Sequence, residues 1–464
     1  MTFWKVDTDV TFALIKDRTA QQNSGYLDRT PILQFVLLSL CFPMWGAAAS
    51  LNDVLITQFR TIFDLSNFAS AFVQSAFYGG YFVVAIPASR LIRNWSYKSG
   101  ILIGLATYII GCTLFFPAST AGTYGVFLAA LFAMAIGLSF LETSANTFST
   151  MMGPQRFSTL RLNISQTVLP FGSIAGVVLG KYFIFSDGEP LEAQLAKIPA
   201  AEQAAFAADQ LQRTLQPYRI IIIALAVLLV LVAITEFPRC KPKALDGTEA
   251  RAPLGQTLGA LARNSRYREG IVAQFLYVGL QTAIWTFTIR VALNVIPGLN
   301  ERDATNYLIF AYIAFFLGKL IADFFMTRFS SESVLMTYTL LGAASLLVVM
   351  FVPNVVAAWA AVLASGLLGP CWPTIFGRTL ESIEDRHHAE TGGAILVMAI
   401  IGGAVIPVVQ GLVADLVGSV ELSFGVSAVC FLAIFAFFAR NRKSRVRELA
   451  MQEHDQSLSR EPVS

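Results

Sequence analysis

Charged side chains are scarce in this chain, at 14% of 464 residues, against about 25% in an ordinary soluble domain. That scarcity excludes a soluble enzyme. There are three histidines, and the neighbouring pair His387 and His388 sits beside Glu384, Asp385 and Arg386, a pattern that reads as a solvated loop. The five cysteines, Cys41, Cys112, Cys240, Cys371 and Cys430, are odd in number and scattered, so they define neither a disulfide framework nor a metal site. Nucleophile elbows, phosphate-binding loops and metal-ligand spacings are missing as well, which argues against catalysis, metals and other cofactors. A net charge of +3 gives no basis for a nucleic-acid partner.

Long apolar runs take the place of all this. Windows of about 20 apolar residues, enough to cross a bilayer, recur at 31–57, 68–92, 99–117, 123–149, 162–185, 217–237, 269–294, 304–327, 333–352, 354–378, 391–416 and 421–440. The spacing predicts an all-α membrane protein with twelve transmembrane helices. Some thirty mostly polar residues precede the first window, which therefore reads as a retained span, not a cleaved signal peptide.

Basic residues then orient the chain. Arg90, Arg93 and Lys98, Arg156 and Arg161, Arg328, and Arg378 and Arg386 fall on alternate loops, in phase with the central stretch Arg239 to Arg268 and the tail from Arg440 to Arg447. Lys and Arg accumulate on the cytoplasmic side, so both termini are expected to be cytoplasmic. The polar, proline-bearing stretch 239–268 separates two groups of six spans. The expected organisation is a cytoplasmic segment 1–30, a six-helix bundle 31–238, a cytoplasmic linker 239–268, a second bundle 269–440 and a basic tail 441–464. Residues 186–215 read as a short amphipathic helix on the outer face.

Two carboxylates stand out against the apolar background. Asp53 and Glu142 lie at membrane depth with no basic neighbour in sequence, and an acid at the centre of a span costs about 2.5–3.5 kcal/mol, which makes an ion or proton pathway the default reading. Asp415, by contrast, lies at a helix end, where it can reach the interface and needs no special account. Helical spacing groups further polar residues into stripes: Trp45, Ala49 and Asn52, with Asp53 at the edge; Gln74, Tyr78 and Tyr81; Glu142, Asn146 and Ser149; Asn163, Gln166 and Thr167; and Gln274, Gln281, Trp285 and Thr288. Aromatic platforms with amide donors and acceptors suit the apolar face and hydroxyl rim of a sugar. Interhelical hydrogen bonding alone would explain any single amide. Five stripes together favour a lined cavity, and the residues point to a proton-driven transporter of a small polar solute. A sodium site would need a cluster of oxygen ligands that is absent. Gly172, Gly176 and Gly180 at four-residue spacing predict close helix packing, and Pro43, Pro170 and Pro407 mark sites where helices could bend.

Several segments also carry a family resemblance. Tyr26-Leu-Asp-Arg-Thr-Pro31, Trp45-Gly-Ala-Ala-Ala-Ser-Leu-Asn-Asp53, Gln74-Ser-Ala-Phe-Tyr-Gly-Gly-Tyr81, Leu141-Glu-Thr-Ser-Ala-Asn146, Thr159-Leu-Arg-Leu-Asn-Ile-Ser-Gln-Thr167 and Ala273-Gln-Phe-Leu-Tyr-Val-Gly279 resemble the bacterial fucose/galactose/glucose:proton symporter family of the major facilitator superfamily. The resemblance covers nearly the whole chain, apart from 186–215 and the tail. It implies the major facilitator fold, bacterial inner-membrane residence, a monomer in the bilayer, and proton symport of L-fucose or a closely similar monosaccharide. It further implies proton coupling at Asp53 and sugar recognition at Glu142, with Trp45 and Gln166 as the matching helix 1 and helix 5 residues. Asn52, Gln74, Tyr78, Asn146, Asn163, Gln281 and Trp285 complete the expected sugar-binding set. A non-transporting sugar sensor on the same fold is the principal rival, and a membrane-embedded enzyme the weaker one.

Overall fold

A computed structural model describes residues 26–154, 157–185, 188–240, 254–369, 371–383 and 389–458. His387, His388, Arg156 and Arg386 lie outside the described residues, as does the linker from 241 to 253. Twelve helices among the described residues are long and apolar enough to cross a membrane. We number them α1 (Ile32–Ile62), α2 (Asn67–Ala85), α3 (Tyr97–Ala121), α4 (Tyr124–Met151), α5 (Ile164–Ile184), α6 (Ala201–Ile234), α7 (Ser265–Val295), α8 (Glu301–Met326), α9 (Ser331–Phe351), α10 (Val355–Glu381), α11 (Ile395–Val417) and α12 (Val420–Arg442). The protein is a multi-pass helical membrane protein, as the hydropathy pattern predicts.

Contacts divide the chain into two compact units. Unit 1 comprises the described parts of Met1–Leu65, Phe72–Ala250 and Asn300–Thr305; unit 2 comprises those of Ser66–Ala71, Arg251–Leu299 and Asn306–Ser464. Each short segment is thus assigned to the unit opposite its chain neighbours.

Glycine permits the tightest packing inside both units. In unit 1, α5 lies against α1 so closely that a Cβ on Gly172 would fall 1.9 Å from the Pro43 carbonyl oxygen. The same relation recurs in unit 2, where a Cβ on Gly402 of α11 would fall 1.9 Å from the carbonyl oxygen of Phe275 on α7. Gly176 and Gly180 continue the α1–α5 seam against Ala47 and Val54, so the small-residue spacing marks a real packing face.

Proline explains two of the helix interruptions. Its ring crowds the carbonyl four residues back and removes one N–H. Accordingly α1 pauses at Leu40, just ahead of Pro43, and α5 at Val168, just ahead of Pro170. Pro407 behaves differently: it sits inside Gly402–Val417, and the irregular turn of α11 lies earlier, at Ala399–Ile401.

Three expected boundaries differ in the structure. The segment expected to form one amphipathic helix contains two, Leu191–Lys197 and Ala200–Arg213, because Pro199 starts a second helix right after the first ends. The seventh span begins at Ser265, where Asn264 caps it by accepting from the Tyr267 N–H, four residues inside the expected linker. The last helix continues from Val420 to Leu458, since the tail is built from good helix formers and lacks Gly or Pro until well beyond 440.

Candidate functional site

Asp53 is held on α1 with only 2% of its surface exposed. Its Oδ1 accepts a hydrogen bond from Gln74 Nε2 of α2 at 2.7 Å. An amide donor fixes the carboxylate rotamer while leaving its net charge uncompensated by that contact. Two isolated sequence stripes therefore meet in one buried pair.

A second group forms around Tyr81. Its hydroxyl lies beside Trp45 of α1 and within electrostatic reach of Tyr78 and of Glu142 on α4. Glu142 is half-buried, as are Trp45 and Asn146. One turn along α4, Asn146 Oδ1 accepts from Gln166 Nε2 of α5 at 3.2 Å. Aromatic rings, amides and an acid from four helices of unit 1 thus stand close together, and a ring face next to hydroxyl and amide edges is the chemistry a pyranose presents in complement. Tyr81 belongs to this group although the expected binding set stopped at Tyr78.

Asn52 is the most deeply buried residue of its stripe. It is fully buried, and neither amide atom has a hydrogen-bond partner, whereas Trp45 and Ala49 of the same stripe are half-buried. The side chain of Asn163 lies outside the described residues.

The ends of these helices are tied down by Arg161. Its guanidinium is 4% exposed and donates to the carbonyls of Ser149 at 3.1 Å, Pro154 at 2.9 Å, Gly153 at 3.1 Å and Thr150. These are C-terminal carbonyls of α4 and its following turn, which lack intrahelical donors. Burial pushes the guanidinium down from the usual arginine range. A chain of hydroxyls, Ser39 to Ser165 to Ser149 with both contacts at 2.9 Å, joins α1, α5 and α4 at the same level.

In unit 2, Gln281 and Trp285 of α7 are half-buried. The Trp285 indole N–H donates to Ser365 Oγ of α10 at 2.8 Å, and that hydroxyl donates to the Ala311 carbonyl of α8 at 2.8 Å. Tyr312 and Phe315 pack against the indole, with centroids at 4.5 and 5.4 Å. Trp285 is therefore locked by protein partners and offers a ring surface, not a free donor. Gln274, one turn before Val278, is 1% exposed with both amide atoms unpartnered. Asp415 is also more than an interfacial charge, since its carboxylate binds the backbone at Asn67 and Phe68. No group of three or more metal-ligating side chains is present among the described residues.

Comparison with known proteins places these features in a family. Residues 36–317 match the model of the Major Facilitator Superfamily. The chain is 36% identical over 424 residues to the L-fucose-proton symporter of Escherichia coli (strain K12), covering 91% of this chain and 94% of that protein. It is 30% identical over 425 residues to a glucose/galactose transporter of Brucella abortus, covering 91% of this chain and 95% of that one. Among solved structures, a major facilitator superfamily transporter in the outward conformation aligns with a TM-score of 0.66 at 36% identity, over 88% of this chain and 98% of that one.

Proposed function

Since the chain belongs to the Major Facilitator Superfamily, a family of transporters and not of enzymes, we propose that it carries L-fucose, or a closely similar monosaccharide, into a bacterial cell together with a proton. The reading places it in the inner membrane as a monomer, with both termini cytoplasmic and alternating access between two six-helix bundles. Its support is the Asp53–Gln74 pair, a buried acid at bilayer depth held by a neutral amide. Such an acid is costly to move through an occluded state while ionised. Protonation removes that cost.

Coupling follows from the charge. With sugar bound and Asp53 protonated, the carrier reorients; with only one of them it does so poorly, and release of the proton inside resets the cycle. One proton crossing about 100 mV supplies about 2.3 kcal/mol, enough for roughly 50-fold accumulation. Glu142, with Trp45, Tyr78 and Tyr81 nearby, would accept hydrogen bonds from sugar hydroxyls against a ring face. Asn146 and Gln166 would extend that rim. In unit 2, Gln281 and the locked ring of Trp285 would serve the same substrate.

Glucose or galactose is the second reading, favoured by the Brucella abortus relative. Uptake of labelled L-fucose into proteoliposomes under an imposed proton gradient, competed by D-galactose and D-glucose, tests both. L-fucose uptake that collapses with a protonophore supports the first reading. Uptake that persists on a sodium gradient alone, or binding with no flux as in a sensor, overturns symport.

A further inference from the structure

Span α10 is made of two helices, Val355–Gly366 and Cys371–Glu381. After the first of them the Leu367 N–H donates to the Leu363 carbonyl at 3.0 Å and the Leu368 N–H to the Ser365 carbonyl at 3.2 Å. Gly369 then takes a left-handed φ of 49°, which glycine adopts at no steric cost. Ser365 thus occupies the final turn of a helix that stops inside a span. The sequence leading to it is small, Ala360-Ala-Val-Leu-Ala-Ser365-Gly366, and α8 comes close: a Cβ on Gly318 would fall 1.9 Å from the Gly366 carbonyl oxygen. Tyr338 of α9 ties in as well, its hydroxyl donating to the Gly318 carbonyl at 3.0 Å.

The Ser365 hydroxyl is fully buried and serves two partners. An indole N–H can only donate, so Ser365 Oγ accepts from Trp285 Nε1 of α7 at 2.8 Å, and its own proton goes to the Ala311 carbonyl of α8, also at 2.8 Å. The second bond fixes where the hydroxyl proton points and leaves a lone pair for the indole. Other hydroxyls of unit 2 behave differently. Thr282, Thr288 and Thr339 donate to the carbonyls of Val278, Ile284 and Leu335, one turn back on their own helices, the ordinary local bond of a helical hydroxyl. Ser365 instead links its helix to two others.

The indole is held on its carbon side too. Tyr312 lies with its ring centroid 4.5 Å away at an interplanar angle of 37°, and Phe315 meets the indole edge-on at 5.4 Å and 86°. Both belong to α8, the helix whose Ala311 takes the Ser365 proton. Trp285 stays half-buried, so part of its ring is left to meet a solute, and with the N–H spent that surface is apolar. A ring fixed before the solute arrives loses little freedom on binding.

We propose that Ser365 is a positioning residue of the sugar site: through the indole N–H it holds Trp285 in the orientation in which the ring meets the sugar, without touching the sugar itself. The sugar-binding role of Trp285 rests on the symport reading. The hold on the ring rests on contacts within unit 2 alone.

Ser365→Ala removes the acceptor, and two measurements on the full chain in detergent read the result. The first needs no sugar. Ultraviolet resonance Raman spectra, taken with and without Trp285→Phe, isolate the signal of Trp285 by difference, and its band sensitive to N–H hydrogen bonding should move in Ser365→Ala to the position of a weaker bond. The second is a cycle of calorimetric Kd values for L-fucose and D-galactose on the parent, Ser365→Ala, Trp285→Phe and the double variant. Ser365→Ala is expected to weaken Kd about five- to tenfold, the factor of one lost buried hydrogen bond, and to change nothing further in the Trp285→Phe background. Ser365→Cys, with a weaker acceptor, should shift band and Kd the same way by less, and it stands in should the alanine variant not fold. An unmoved band overturns the proposal. Equal weakening in both backgrounds overturns it too, because Ser365 would then act on helix packing and not through the indole. A parent that binds neither sugar counts against the symport reading, while the Raman difference still decides whether Ser365 holds the ring.

Discussion

Gln74 donates to Asp53 at 2.7 Å, and this pair joins two polar stripes, with the acid and the amide at 2% exposure each. The amide keeps the carboxylate in one rotamer without neutralising it. Replacement of the acid by its uncharged isostere therefore separates binding from coupling. In Asp53→Asn we expect sugar counterflow at equal concentrations to persist and uphill accumulation to fall to background. Counterflow and proton-driven uptake, measured side by side on one preparation, decide the matter; accumulation with the usual proton uptake would remove Asp53 from the coupling role.

Glu142 is predicted to act on affinity. It is half-buried and within electrostatic reach of Tyr81, and Glu142→Gln keeps its shape while weakening every hydrogen bond it accepts as an anion. The loss of one charge-assisted bond corresponds to about tenfold in Kd. Calorimetry on the folded variant should show that weakening, and an unchanged Kd would exclude Glu142 from sugar recognition.

Much of the architecture was legible in local pattern. Hydropathy windows marked twelve spans because each helix must bury or expose apolar surface along its whole length, and the Gly172, Gly176 and Gly180 spacing marked the α1–α5 seam. Pro43 and Pro170 marked interruptions because their effect is confined to four residues. Pairings between distant positions left no such trace. Nothing near Trp285 signals that its N–H is spent on Ser365, 80 residues away, and nothing near Asp415 signals Asn67, 348 residues away. A helix-end acid looks the same whether it snorkels or binds, so only the folded chain distinguishes them. Spacing along one helical face does not set burial either: Asn52 is fully buried while Trp45 and Ala49 are half-buried.

Close packing at Gly172 yields a stability prediction. Even one methyl group would fall 1.9 Å from the Pro43 carbonyl oxygen, and overpacking of this kind costs about 1–3 kcal/mol or more. Gly172→Ala should lower the melting temperature by several degrees in detergent, and Gly172→Val should lose the monodisperse peak by size exclusion. A parental melting temperature for Gly172→Ala would show that α1 and α5 have room to separate.

Arg161 makes the sharpest structural forecast, because one side chain serves four carbonyls at the end of the helix that carries Glu142 and Asn146. Arg161→Met keeps most of the apolar stem and removes every donor, leaving the buried acceptors unsatisfied at a cost of about 3 kcal/mol or more. Lys supplies a charge but not the planar fork, so Arg161→Lys should recover only part of the lost stability. The loosened end of α4 should also disturb the contact of Asn146 with Gln166 at 3.2 Å. Thermal melts of both variants, with sugar Kd measured on the fraction that stays folded, check the two effects separately. A Met variant as stable as the parent would mean that the α4 terminus holds itself without the clamp.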